Sequence, residues 1–331
     1  MTSTTSQASP PVPAAVSGGL TPLKIVIGVV VLGLLLAAPF GVYPVFLMKV
    51  LCFSLFACAF NLMLGYTGLL SFGHAMFFGG AAYITAYLVK MQGLSPELGI
   101  LAGTLFAALL GLITGLLAIR RVGIYFAMVT LALSQMFFFF CLQAKFTGGE
   151  DGLQAVPRSL MFGFVDISKD INLYYVVLAI FLIGFGIIYR AINSPFGQVL
   201  KAIRENEPRA ISLGYRVNQY KILALVLSAG LAGLAGSTKA IVFQLASLTD
   251  VVWPMSGEVI LMTLVGGMGT VLGPVVGATI IVTMQNYLAT FGEWVLVIQG
   301  VIFVIVVSLF RRGIVGEVLA AIQSIRNRGD K

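Results

Sequence analysis

Long apolar runs separated by brief charged punctuation organise this chain. After Lys24 no charge appears until Lys49, and further charge-free intervals run from Lys49 to Lys90, Glu97 to Arg120, Arg121 to Lys145 and Asp170 to Arg190. A helix needs about 20 apolar residues to cross the hydrocarbon core of a bilayer. Each interval except Lys49 to Lys90 therefore holds one crossing. That one is too long, and it divides at GYTGLLSFGH into a helix from Lys49 to Leu64 and a second ending at Lys90. Beyond Lys221, LSAGLAGLAGS places Gly230, Gly233 and Gly236 on closely packed faces of an internal helix. Met255 to Val265 is apolar but short, and it runs into GGMGTVLGPVVG, a second Gly-rich break; it reads as a half-helix or a strongly tilted helix within protein. A full span to about Thr290 follows. Glu293 and Trp294 mark an interface, and the last span reaches Arg311 and Arg312. The expectation is an all-α polytopic membrane protein of about ten membrane segments, one of them short or broken.

The stretch from Arg190 to Lys221 breaks this pattern. Eight of its residues are ionisable and six of those are basic. Ser194 and Pro195 are an N-cap and first-turn signal, after which Phe196, Val199, Leu200 and Ile203 share a helical face opposite Lys201, Arg204 and Glu205. Pro208 opens a second, very short helix and Gly214 is placed to close it. Two readings fit: a loop built to dock on a partner, or a folded loop resting on its own protein and the lipid headgroups.

Composition settles the class. Hydrophobic residues make up 59% of the chain and charged residues 10%, against about 45–50% and about 25% in soluble domains. The net charge of +8 is the excess of basic residues at span ends that membrane topology requires, so nucleic-acid binding is not expected. With the N-terminus, the Arg120–Arg121 turn, the 190–221 loop and the C-terminus inside, the inner face holds fourteen of the twenty Lys and Arg but four of the twelve acids. This pattern predicts N-in, C-in. Residues 1–23, free of charge and rich in Ser, Thr, Pro and Ala, read as a disordered tail rather than a signal peptide. Residues 24–312 form the transmembrane domain and 313–331 a cytoplasmic tail, with Val315, Val318, Leu319 and Ile322 on one face of a surface helix.

Candidate chemistry is sparse. No GxxxxGK[ST] is present, so any ATP-driven step belongs to another chain. Cys52, Cys58 and Cys141 lack metal-ligand spacing and read as packing residues. The one histidine, His74, excludes a histidine-based metal cluster; it faces either a pathway or an interhelical hydrogen bond. Glu258 is the acid expected at membrane depth, a functional carboxylate or one a turn inside the outer interface. Lys239 reads as a snorkelling side chain without assigned function. The translocation path is placed at the two breaks, on Gly65, Gly68, Gly73 and His74 with the polar atoms of Asn61, Thr67 and Ser71, and on Gly266, Gly267, Gly269 and Gly273. Tight helix packing alone is the competing explanation for these glycines. One break in each half weakly suggests an internal duplication.

NLMLGYTGLLSFGHAMFFGGAAY, FGQVLKAIRENEPRAISLGYRVNQYK, LSAGLAGLAGS and TLVGGMGTVLGPVVGA, in this order, resemble LivM-type permease subunits of bacterial branched-chain amino acid ABC importers. The likeness runs from the second span to Arg312. It implies a fold similar to type II ABC importer permeases in the inner membrane. The implied partners are a LivH-type permease, two cytoplasmic ATPases carrying ATP and Mg, and an external solute-binding protein; no cofactor is implied for this chain. The resemblance makes the 190–221 loop a coupling loop, with Arg204, Glu205, Glu207, Arg209, Ala210 and Gly214 as ATPase-coupling residues. Pro208 and Arg209 depart from the EAA motif of many importer permeases. Related permeases carry urea, amides or aromatic acids, and an ion-coupled secondary transporter or a channel remains an alternative class. A path of few polar contacts is expected from the scarcity of buried charge.

Overall fold

A computed structural model of the protein describes residues 32–317, apart from 122, 162, 164, 290, 291, 293 and 310–312. The 1–23 tail, Lys24, Thr290, Glu293, Arg311 and Arg312, and the tail positions Val318, Leu319 and Ile322 lie outside the described residues. Two compact units divide after Gly41. In the first, residues 32–37 are helical and a 3₁₀ turn follows at Ala38–Phe40.

The second unit holds α1 (Pro44–Asn61), α2 (His74–Met91), α3 (Pro96–Ala118), α4 (Ile124–Gln143) and α5 (Asp170–Asn193). The charged stretch forms α6 (Pro195–Glu205) and α7 (Glu207–Ser212), and α8 (Val217–Phe243), α9 (Trp253–Gly266), α10 (Gly273–Leu288) and α11 (Trp294–Leu309) follow. Five helical stretches among the described residues are long and apolar enough to cross a membrane: Pro44–Thr67, α3, α4, α5 and α8. Lys49 does not separate two helices as its charge suggests. Pro44, whose fixed φ and missing N–H suit a first turn, starts α1 upstream of it, so the interval Lys24 to Lys49 is not one uninterrupted helix.

α8 is the internal helix, packed on α1, α2 and α3. Gly103, Ala107 and Gly111 recur every four residues on α3 and meet Ala229, Gly233 and Ser237 of α8. This spacing keeps small residues on one helix face and lets the two backbones approach. Gly236 lies so close to the Phe78 carbonyl on α2 that a methyl group there would overlap it, while Gly230 has ordinary clearance from Ala108. The opposite face of α3 carries exposed Leu98, Leu101, Leu105, Leu109, Leu112 and Leu116. In water such a stripe would be unfavourable, whereas facing lipid tails it is the expected surface.

Small elements close one end of the bundle. β1 (Leu153–Gln154) pairs antiparallel with β4 (Leu245–Ala246), and β2 (Leu160–Met161) with β3 (Val165–Asp166). Arg158 caps the C-terminal carbonyls of α8, donating to Ile241 O (3.4 Å) and Val242 O (2.5 Å), and pairs with Asp170 (2.8 Å). Lys90 Nζ donates to Gln154 O (2.7 Å). The backbone amide of Ser168, donating to Asp166 Oδ1 (3.0 Å), holds the half-buried Asp166 carboxyl below its ordinary range. The 145–170 loop is thereby tied to the ends of α2 and α8.

Candidate translocation and coupling site

The first break has a definite shape. α1 continues into one π-helical turn at Leu62–Thr67, where Thr67 Oγ1 donates to Met63 O, and Gly68 ends it in the left-handed region (φ 74°) that a side chain rarely adopts. The second break, after α9, reverses the chain through Gly267 and Gly269 (φ 122° and 79°), so that α9 and α10 pack with Gly266 against Gly273 and Gly277 against Met262.

Asn61 joins the two breaks. Its Nδ2 donates to Thr270 O (2.8 Å) and its Oδ1 accepts from Gly269 N (3.0 Å), across more than two hundred residues of sequence. The side chain is buried, so this carboxamide satisfies backbone groups that the broken helices leave free.

The charged stretch meets the same place. Val199 and Ile203 of α6, Ala210 of α7 and Val217 of α8 form a small apolar core covered by Tyr220, which fixes α6 and α7 as one body. From it Arg204 Nη1 donates to Gly65 O, its side chain also lying against Gly68 and Gly269. Lys201 Nζ stands 5.7 Å from the Tyr66 ring centroid. Gly65, Tyr66, Lys201, Arg204, Glu205 and Gly269 line an open cavity of about 460 Å³. The expected coupling residues thus separate into two groups. Arg204, Glu207 and Ala210 contact the rest of the chain: Arg204, itself exposed, reaches Gly65 O, Glu207 pairs with Lys221 (2.7 Å) and Ala210 is buried. Glu205, Arg209 and Gly214 are exposed. Ser194 does not cap α6, because its hydroxyl donates to Ala191 O (2.7 Å); Asn206 instead caps α7, accepting from Arg209 N (3.0 Å). Sequence reasoning missed Ile211, Leu213 and Tyr215, large apolar side chains that are 58%, 67% and 40% exposed on this loop.

The remaining first-break residues act as ties. Ser228 Oγ donates to Ala59 O (2.6 Å), so His74 Nε2–H donates to Ser228 Oγ (2.9 Å), linking α2, α8 and α1. The ring also packs edge-on to Phe60 (4.8 Å) and Phe77 (5.5 Å). His74 thus makes the interhelical hydrogen bond of the two roles open to it. Ser71 Oγ accepts from Gly73 N (3.2 Å), and Gly73 allows close approach to the Thr130 carbonyl of α4.

A second open cavity, about 280 Å³, lies at the hairpin end of the bundle between α1, α8, α9 and α10. It is lined by Lys49, Phe53, Lys239, Phe243, Leu245, Asp250, Met255, Glu258 and Gln285. Lys49, which lines this cavity, and Gly65, which lines the first, lie on the continuous helical stretch Pro44–Thr67 about 24 Å apart along its axis, so the cavities occupy opposite ends. Lys239 does not snorkel: it forms a buried pair with both carboxylate oxygens of Asp250 (2.8 and 2.6 Å). Gln285 Nε2 donates to Glu258 Oε1. Among the described residues buried charge is scarce and paired: Lys221 with Glu207 at the loop end, and Lys239 with Asp250 in this cavity, which the expectation of a path with few polar contacts did not include. No cluster of three or more metal-ligating side chains occurs among the described residues.

These features define a multi-pass helical membrane protein whose broken helices converge on a folded, charged surface loop. The family described as branched-chain amino acid transport system / permease component matches residues 42–307, and the chain belongs to it. It is similar to the high-affinity branched-chain amino acid transport system permease protein LivM of Escherichia coli, 27% identical over 74% of this chain and 63% of that protein. The chain therefore aligns with less than two thirds of that relative's length. Two Methanocaldococcus jannaschii proteins are also similar: a probable LivM permease (24%, over 66% of this chain and 72% of that protein) and a probable LivH permease (27%, over 68% and 75%). No solved structure matches the chain.

Proposed function

We propose that this chain is the transmembrane permease subunit of an ATP-driven importer for branched-chain amino acids, set N-in and C-in in a bacterial inner membrane. It catalyses no bond chemistry. A LivH-type permease is its membrane partner, two ATPases bind ATP and Mg at its cytoplasmic face, and an external protein delivers the solute. The observation that carries this reading is the Arg204 contact, which joins the charged loop to Gly65 and Gly269, one in each helix break.

On this reading Ile211, Leu213 and Tyr215 enter a groove on the ATPase, since an exposed apolar cluster on a charged loop fits a protein partner better than water. Closure of the ATPases displaces α6 and α7 together through their shared apolar core. Arg204 passes that displacement to the π-helical turn and to the α9–α10 break, where helices slide on glycine contacts and the path opens by alternating access. Deleting residues 204–214 tests this. Loss of ATPase co-purification with membrane insertion intact is expected, and retained association would refute the coupling assignment.

An ion-coupled secondary transporter is the competing reading. The observation in its favour is that two carboxylates, Asp250 and Glu258, line the hairpin-end cavity.

A further inference from the structure

The hairpin-end cavity carries four charged groups with unequal partners. Lys239 and Asp250 neutralise each other through two short contacts, and Asp250 is further fixed by the capping box it forms with Ser247. That pair is part of the wall. Glu258 is held by the neutral amide of Gln285, which orients the carboxylate and leaves its charge uncompensated. Among the described residues Lys49 makes no hydrogen bond or ion pair. It lines the same cavity as Glu258 without closing into an ion pair with it. Among the described residues the cavity therefore presents one ammonium from α1 and one carboxylate from α9 that have no ionic partner, with Phe53, Phe243, Leu245 and Met255 as apolar wall.

Separated opposite charges in a partly buried, apolar-walled space are costly unless something bridges them. A molecule carrying both an anion and a cation on adjacent atoms, followed by an apolar group, satisfies all three surfaces at once. We infer that this cavity is a zwitterion-binding site in the permease itself, with Lys49 receiving the α-carboxylate, Glu258 the α-ammonium, and the four apolar side chains the aliphatic group of an amino acid. The inference rests on the proposed transport function and deepens it: the membrane subunit selects its cargo by charge before the helix breaks open. Neutral solutes such as urea or acetamide leave both charges unbridged and are rejected here.

The test uses the full chain in lipid nanodiscs without partners, with calorimetric or scintillation-proximity binding of L-leucine, its methyl ester, 4-methylpentanoate and acetamide. Leucine is expected to bind saturably, and each analogue lacking one charge at least about ten-fold more weakly, as loss of one charge-assisted hydrogen bond requires. Lys49→Met is expected to abolish the preference for leucine over its methyl ester. Glu258→Gln, which keeps a partner for Gln285, is expected to abolish the preference over 4-methylpentanoate. Equal binding of leucine and acetamide, absence of leucine binding, or unchanged discrimination in both variants would overturn the site. The analogue series needs only the wild-type chain, so it does not depend on a variant folding. ATPase co-purification, measured in parallel from membranes in which the same chain is co-expressed with its partners, separates the two claims: its failure refutes the coupling reading, and absent leucine binding with ATPase association intact refutes the cavity alone.

Discussion

Removing one member of the Lys239–Asp250 pair is the most informative perturbation of the fold. Lys239 is 11% exposed at its side chain and Asp250 3%, and the ammonium contacts both carboxylate oxygens. Lys239→Met leaves a buried carboxylate and Asp250→Leu a buried ammonium, each costing about 3–5 kcal/mol. The double variant removes both charges, and the Met and Leu side chains fill the space. Its cost falls to that of the lost capping box at Ser247, about 1 kcal/mol. The double variant is thus expected to be more stable than either single one. Thermal unfolding in detergent, followed by the fluorescence of Trp253, which stands three residues from Asp250, measures all four corners of the cycle. Single variants indistinguishable from wild type, or a double variant as unstable as the sum of the singles, would refute a buried, mutually dependent pair.

Other outcomes follow from particular contacts. Gly236→Ala places a methyl group against the Phe78 carbonyl and is expected to lower stability by about 1–3 kcal/mol, while Gly230→Ala, with 3.5 Å of clearance to Ala108, is tolerated; detergent melting curves of the two compare them directly. Asn61→Leu leaves Gly269 N and Thr270 O without their buried partner, at about 1–3 kcal/mol for each orphaned group, and should make the α9–α10 break susceptible to limited proteolysis. Arg204→Ala removes the link to Gly65 without touching Ile211, Leu213 or Tyr215. Uptake assays should show ATPase association kept and ATP hydrolysis uncoupled from transport. Ile211→Asp is expected to do the reverse, losing the ATPases in co-purification while the purified chain remains folded.

Much of the architecture is readable from charge spacing, because charge is excluded from hydrocarbon and so marks where helices end. Both glycine breaks, the short helix α9, the two helices of the charged loop and the close packing along α8 follow from that and from residue size. Long-range pairing is different. Asn61 meets Gly269 and Arg204 meets Gly65 across 208 and 139 residues, and no local periodicity carries such a register. Lys239 and Asp250 are only eleven residues apart, yet their meeting depends on the chain reversing after α8 and pairing β4 with β1. Lys49 looked like a boundary because charge usually is one; inside α1 it survives by facing a cavity. The exposed apolar residues of the loop escaped notice for a similar reason. In so apolar a chain Ile211 and Leu213 carry no signal until their surroundings are known.

Solute uptake into proteoliposomes tests the central claim most directly. With the LivH-type partner, both ATPases and the loaded binding protein present, uptake of leucine is expected to require ATP, to be insensitive to collapse of proton and sodium gradients, and to disappear on deletion of residues 204–214. Gradient-driven uptake by this chain alone, without ATPases, would contradict the account.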